Sequence, residues 1–318
     1  MNLQRAILDE HPIFNPSAFY IETPMIGELR TVVSQWLWHG HTGGYIVGHS
    51  RVGKSRGISE AMAHLKTRND EPIQAFYMAF NERDRTTITS VFRNLKRALG
   101  LTLRAREVAD EMSDDILHCL ADASFSNSLH YVVLVADEIQ RATIQQLLAF
   151  TELYDMLIQL RVNLFVVFVA NIGESDVLLK KVQDRNHEQI RGRFFINHYY
   201  YTGLRSADHL AKCLQEYDER RYSAHGLTTT ETFLPTPYAE GWRLHSLAPT
   251  MWRIYREDFQ QPLQLESWGM QFFTAAIKTL LVDYLPVYGV ANAVEVEAMI
   301  RESIRASGLE GACIVAPT

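Results

Sequence analysis

Cysteine is scarce in this chain. Its three thiols, Cys119, Cys213 and Cys313, stand far apart among 318 residues and form no C-x-x-C pair. That leaves no disulfide framework and no thiolate zinc site. An excess of positive charge is also missing. The net charge of -6 gives no overall basic character, so any nucleic-acid contact has to come from a local patch. Long apolar runs are absent too. The longest, Tyr131–Ala136 and Leu164–Ala170, fall far short of a bilayer span, and Met1 to Glu10 carries no apolar signal core. These absences predict a cytoplasmic protein with no membrane partner. The twelve histidines are scattered; His39 and His41, beside a glycine-rich turn, read as loop residues rather than ligands. The balance of 47% hydrophobic and 21% charged residues is ordinary for a globular protein. The length allows one domain of roughly 200 residues and a smaller one.

Against this plain background one stretch stands out. Gly48-His49-Ser50-Arg51-Val52-Gly53-Lys54-Ser55 fits the phosphate-binding pattern G-x-x-x-x-G-K-[ST]. Gly44–Val47 reads as a short buried strand entering it, and Arg56–Lys66 as a helix leaving it. Glycines there permit a tight turn in which successive N–H groups point at phosphate oxygens. The helix start adds its positive dipole end. Lys54 is placed to reach the β- and γ-phosphates and the Ser55 hydroxyl to hold Mg²⁺. The candidate nucleotide contacts run from Gly48 to Ser55, with Arg56 at the helix start.

Residues 1–24, with Pro12 and Pro16 among aromatics, read as an arm. It lies either on the main domain or against a neighbouring subunit. Met25–Trp38 has helical spacing, with Leu29, Val32, Val33, Trp36 and Leu37 on one side. Ile73–Phe80 is a strand, and Thr87–Leu99 a helix closed by Gly100. Ser113–Ser128 is a helix with Ser113 as N-cap. Tyr131–Ala136 and Val162–Ala170 are continuous apolar runs, as expected of strands buried on both faces of a parallel sheet, with a helix over 141–160 between them. A short helix over Ser175–Gln183, a charged loop and a strand around Phe194–Tyr201 follow. Strands alternating with helices predict a three-layer α/β domain over 25–204. Beyond it, Ala207–Arg221, Trp242–Asp258, Glu266–Tyr284 and Val294–Ala306 read as helices of a small all-helical domain over 205–306. Residues 225–240 are a loop or broken segment, and 307–318 a flexible tail.

The strand ends carry the chemistry. Asp137 closes a buried strand and can hold Mg²⁺ through its coordination shell. Glu138, next to it, is placed to polarise a water attacking the γ-phosphate. Asn171, at the end of the other core strand, can hydrogen-bond the γ-phosphate or that water. Arg193, with Arg191 and Arg185 as reserves, precedes the last strand and can meet a neighbouring subunit's nucleotide. Arg243 opens a helix of the small domain and can reach the nucleotide from above. Arg93, Lys96 and Arg97 share one face at i, i+3 and i+4. With Arg83, Arg85, Arg104 and Arg106 they form the densest basic cluster. It is either a solvated helix face or a phosphate-contacting DNA surface.

The order of phosphate loop, Asp-Glu strand end, strand-end Asn, arginine before the fifth strand and helical lid resembles the AAA+ ATPases. That resemblance implies a parallel sheet of order 5-1-4-3-2 sandwiched by helices, ATP and Mg²⁺ as cofactors, and nucleotide bound between subunits of a ring or helix. Ala136-Asp137-Glu138-Ile139-Gln140-Arg141 with Phe165–Asn171 looks most like the TnsC/TniB transposition regulators, which are similar to MuB in role. It implies a homo-oligomer on double-stranded DNA that links target-selector proteins to a transposase. DNA contacts would come from the region that holds Arg93, Lys96, Arg97 and Arg104. Three other readings compete: an AAA+ ATPase acting on protein partners without DNA, a nucleotide-gated adaptor with negligible turnover, and a metabolic kinase.

Overall fold

The computed structural model describes residues 11–15, 18–82, 86–222 and 226–313. The described chain folds into two compact units. One comprises Ile26–Ser50 and Lys54–Tyr201. The other holds the described residues up to Met25, Arg51–Gly53 and the chain from Thr202 onward.

The first unit is built on five parallel strands: β1 (Gly43–Gly48), β2 (Gln74–Ala79), β3 (Tyr131–Asp137), β4 (Asn163–Asn171) and β5 (His198–Tyr200). Their order is β2-β3-β4-β1-β5, which is the expected 5-1-4-3-2 sheet read from the other edge. Val132 to Ala136 and Leu164 to Ala170 are buried without interruption, because helices cover both faces and leave no strand face wet. Each buried Val, Leu or Phe contributes about 1.5–3 kcal/mol. The register sets Gly48 beside Asn171 and Ala79 beside Asp137. The phosphate loop, Asp137 and Asn171 therefore meet at the carboxyl ends of three adjacent strands, where open α/β sheets bind ligands.

The helices of this unit are α1 (Pro24–Trp38), α2 (Lys54–Ala63), α3 (Ile88–Ala98), α4 (Ala109–Ser124), α5 (Ile144–Gln159), α6 (Asp176–Val182) and α7 (Glu188–Phe194). Thr87 caps α3 and Gly100, at φ +70°, follows its end. A Thr143–Gln146 capping box starts α5. Two expectations are corrected. Ser113 is not an N-cap but lies buried inside α4, which starts four residues earlier with Asp110 and Glu111 in its first turn. Acidic side chains there suit the helix dipole as well as a serine cap does. Residues 188–194 are not a charged loop leading into a strand but the helix α7, and β5 is confined to His198–Tyr200.

The second unit is helical. It contains α8 (Ala207–Glu219), α9 (Thr229–Phe233), α10 (Pro235–Ala239), α11 (Ala248–Ile254), α12 (Met270–Thr279), α13 (Leu285–Tyr288), α14 (Ala293–Ala306) and α15 (Leu309–Cys313). Two π-helical turns, Tyr255–Gln260 and Leu280–Tyr284, extend α11 and α12. Trp268 stacks on Tyr255 at 4.4 Å with Phe273 edge-on at 5.5 Å. The broken segment resolves into α9 and α10, and part of the expected tail is α15, anchored by the buried Leu309. Residues 314–318 lie outside the described residues.

The described residues of the arm fold into the helical unit. His11 and Phe14 meet Phe233 edge-on, Phe19 stacks on Tyr222 at 5.1 Å, and Arg220 sits over the Tyr20 ring. Aromatic faces supply large apolar area in a short segment. No helix among the described residues is long and apolar enough to cross a membrane.

Candidate functional site

The loop after β1 is shaped by two glycines. At Gly48 an added Cβ would stand 2.2 Å from the Tyr201 carbonyl oxygen, so the backbone just beyond β5 forbids a side chain there. Gly53 has φ +94°, a conformation that L side chains rarely adopt. The next residue, Lys54, begins α2, so the loop runs directly into a helix N-terminus.

Lys54 is 7% exposed and aims its ammonium into the site. Nζ donates to Gly48 O at 2.8 Å, His49 O at 2.6 Å and Asn171 Oδ1 at 2.8 Å. Burial lowers its pKa, and the carboxylates of Asp137, Glu138 and Glu174 partly restore it. Next in sequence, Ser55 donates Oγ to Asp137 Oδ2 at 2.6 Å. Hydroxyl and carboxylate side by side are hard oxygen donors. They fit Mg²⁺, which takes one or two carboxylates and completes its shell with waters and phosphates. Among the described residues no group of three or more His, Cys, Asp or Glu forms a metal cage; a magnesium–nucleotide site does not need one.

Glu138 stands in the left-handed region at φ 60°, ψ 36°, a strained conformation for a residue other than glycine. Its Oε2 accepts from Gln140 Nε2 at 2.7 Å and lies 3.4 Å from Arg141 Nη2. Gln140 also accepts the Asn171 N–H at 3.3 Å and donates to Glu174 at 3.3 Å. Lys54, Ser55, Asp137, Glu138 and Asn171 are thus gathered at one end of the sheet. Gln140, Arg141 and Glu174 join them and were not among the candidate site residues. Gln140, two residues beyond an Asp-Glu pair that ends a strand, carried the one sequence signal that could have found them.

The arginines are less uniform. Arg193 lies on α7, and its guanidinium is held by Asp155 at 2.6 and 3.1 Å over the ring of Tyr154. Arg191 donates to Gln183 O at 3.5 Å. Arg185 is exposed on a short 3-10 turn and makes no hydrogen bond or ion pair with the described residues. Arg56 pairs with Glu60 one helical turn on. Arg243 lies in the helical unit, where its guanidinium stacks on Tyr238 at 3.7 Å and donates to the Tyr238 and Trp242 carbonyls.

The basic cluster divides in two. Arg93 and Arg97 are exposed on α3, and Arg104 and Arg106 are exposed beyond it. Lys96 is corrected: it is no surface cation. It is fully buried, bonded to Glu107 at 2.5 Å and Asp115 at 2.6 Å. Burial works against its charge, but the bonds to Asp115 and Glu107 outweigh that and raise its pKa, while the same bonds lower both carboxylates. Fully buried between two carboxylates, Lys96 presents no ammonium at the surface for a DNA phosphate. Arg83 and Arg85 lie outside the described residues.

Residues 39–179 match the family model of the AAA domain. That span holds the phosphate loop, Asp137, Glu138 and Asn171. No curated protein matches the sequence. Among solved structures, the chain is similar to Cdc6p from Pyrobaculum aerophilum, at 14% identity and a TM-score of 0.43 over 92% of this chain and 83% of that one. It is similar to ORC2 from Aeropyrum pernix, at 13% identity and 0.43 over 93% and 83%. It is also similar to the Walker-type ATPase PABY2304 of Pyrococcus abyssi, at 14% and 0.41 over 92% and 91%. Scores of this size carry nothing about substrate or partner. The family match supports an ATPase role in general, and the α/β unit, with its 2-3-4-1-5 parallel sheet and loop-to-helix phosphate site, has the AAA+ phosphate-loop fold.

Proposed function

We propose that this chain is an ATP-hydrolysing AAA+ protein that assembles with its own copies on double-stranded DNA and regulates transposition, linking target-selector proteins to a transposase. The observation that carries the ATPase part is the convergence of Lys54, the Ser55–Asp137 pair and Glu138 at adjacent strand ends. Lys54 neutralises phosphate charge. Ser55 and Asp137 hold Mg²⁺, which when bound supplies charge stabilisation to the phosphates. Glu138 takes a proton from the attacking water as the water oxygen bonds to the γ-phosphorus and the bond to the β–γ bridging oxygen breaks, giving ADP and phosphate. Asn171 feels the γ-phosphate through the same Lys54.

For the contact made in trans, Arg185 takes precedence over Arg193. The Arg193 guanidinium is already engaged twice by Asp155, whereas Arg185 is exposed and without such a partner. For DNA, exposed Arg93, Arg97, Arg104 and Arg106 support phosphate contact, which is sequence-independent and steeply salt-sensitive. The transposition role and its protein partners rest on the Asp-Glu-Ile-Gln resemblance.

A second reading, an AAA+ ATPase acting on protein partners without DNA, is favoured by one observation: burying Lys96 thins the basic face of a chain whose net charge is already -6. Electron microscopy of the protein with duplex DNA and a slowly hydrolysed ATP analogue, against ADP, separates the two. Rings or filaments that need both DNA and the analogue support the first reading, and rings without DNA the second.

A further inference from the structure

We infer that Gln140 is a positioning residue that fixes the Glu138 carboxylate and ties it to Asn171, so that the water-polarising group and the γ-phosphate-facing amide are set as one piece. This rests on the reading of Glu138 as the residue that polarises water.

Glu138 follows β3 in a left-handed conformation and opens a single 3-10 turn, Ile139–Arg141. Its own N–H is taken by Asp137 Oδ1 at 2.7 Å, and its carbonyl accepts from Arg141 N at 3.0 Å. This tight turn brings the Gln140 side chain back over the strand ends. Both hydrogens of that amide are then used, and its oxygen accepts one bond. Nε2 donates to Glu138 Oε2 at 2.7 Å and to Glu174 Oε2 at 3.3 Å, while Oε1 accepts from Asn171 N at 3.3 Å. Partner chemistry fixes which way round the amide sits. Turned over, its oxygen would face two carboxylates and its NH₂ would face an N–H.

The consequence for Glu138 is asymmetric. Oε2 is clamped by Gln140 and faced by Arg141, while Oε1 has no hydrogen-bond partner among the described residues. A carboxylate that orients water needs this division: one oxygen fixed, the other open. The chain of bonds continues from Gln140 to Asn171 and from Asn171 Oδ1 to Lys54 Nζ. A phosphate that draws on Lys54 or Asn171 is therefore felt at Glu138 through a side chain that touches no substrate. Alanine removes the amide and frees the carboxylate, and a misplacement of about 1 Å costs roughly 10²-fold in rate. Glutamate keeps the shape but has no N–H to donate to Glu138 Oε2 or Glu174 Oε2.

The test compares Q140A, Q140E and E138Q with the unaltered protein, with and without duplex DNA. Phosphate release, affinity for a non-hydrolysed ATP analogue and thermal midpoint are measured for each. Q140A is expected to lower kcat by about 10–100-fold while affinity stays within about threefold and the midpoint is unchanged. Q140E, which has no N–H to give to Glu138, is expected to lose kcat as Q140A does while keeping affinity for the analogue. Normal kcat in Q140A beside a dead E138Q overturns the inference alone. So does a Q140A loss of affinity and midpoint in step with kcat, which marks a structural residue. Normal turnover in E138Q, or none in the unaltered protein, overturns the reading of Glu138 and the inference with it.

Discussion

Ser55 Oγ donates to Asp137 Oδ2 across 2.6 Å, joining the first turn of α2 to the end of β3. The two groups that would hold Mg²⁺ in the proposed mechanism thus stand side by side. Ser55→Ala leaves Asp137 without this bond and removes one metal ligand. The magnesium-dependent part of nucleotide affinity is expected to fall by about 10–100-fold, the loss typical of a removed metal-supporting contact. Titration with ATP analogue at fixed and at chelated Mg²⁺ reads it. An unchanged magnesium dependence would remove Ser55 from the site.

Lys54→Ala takes away a buried ammonium that binds two loop carbonyls and Asn171. A hydrogen bond to a charged group is worth about 1.5–3 kcal/mol, so affinity for ATP is expected to drop roughly 10–150-fold. Isothermal titration checks it, and undiminished affinity would sink the phosphate-loop assignment.

Glu138→Gln retains size and loses the base. Bound analogue should be held as tightly as before, with hydrolysis slowed by about 10²-fold or more. Assemblies formed with ATP should then persist on duplex DNA where those of the unaltered protein disperse. Sedimentation over time distinguishes the two behaviours.

Lys96→Met and the pair Arg93→Glu with Arg97→Glu should separate cleanly. The first strands Glu107 and Asp115 beside an apolar side chain, and the thermal midpoint is expected to fall by about 5 °C or more. The second changes exposed groups, so the midpoint should hold while DNA affinity and its salt slope decline. DNA binding untouched by the arginine pair would favour the protein-directed reading. Acid and base act on this clamp in opposite senses. The carboxylates, with lowered pKa, contribute stability above the ordinary carboxylate range and lose it as pH falls through their lowered values. Lys96, with raised pKa, contributes below its ordinary value and loses it as pH climbs through the raised one.

His11 offers a milder titration. It is 3% exposed, its Nδ1 accepts from Ile13 N, its Nε2 has no hydrogen-bond partner among the described residues, and burial lowers its pKa from 6.5 to about 4. Folding favours the neutral ring, so the stability it brings is complete above pH 6.5 and drains as pH falls toward 4. At pH 5 the loss is about 2 kcal/mol. His11→Phe should flatten the difference between pH 7 and pH 5 in unfolding of the helical unit; an identical slope in both proteins would deny His11 that role.

Much of the α/β unit was legible because its signals are local. The apolar runs of β3 and β4 have no other stable home than a doubly covered sheet, and Asp137, Glu138 and Asn171 could be placed simply by where those runs stop. What stayed hidden depends on partners distant in sequence. Lys96 shares its helical spacing with Arg93 and Arg97, and only Glu107 and Asp115, brought in by the loop after α3 and by α4, decide that it turns inward. Arg193 likewise looks free until α5 supplies Asp155. The α7 helix was obscured by Gly192 among charged residues, and the arm's resting place by aromatics that carry no periodicity.

That arm has a topological consequence. Residues just before Met25 and residues after Thr202 build the same helical unit, so the α/β unit is an insert carried between two strokes of one domain. In that unit Tyr20 lies under Arg220, Phe19 meets Tyr217 of α8 and His11 meets Phe233 of α9. Removing residues 11–23 therefore strips aromatic packing from the helical unit itself.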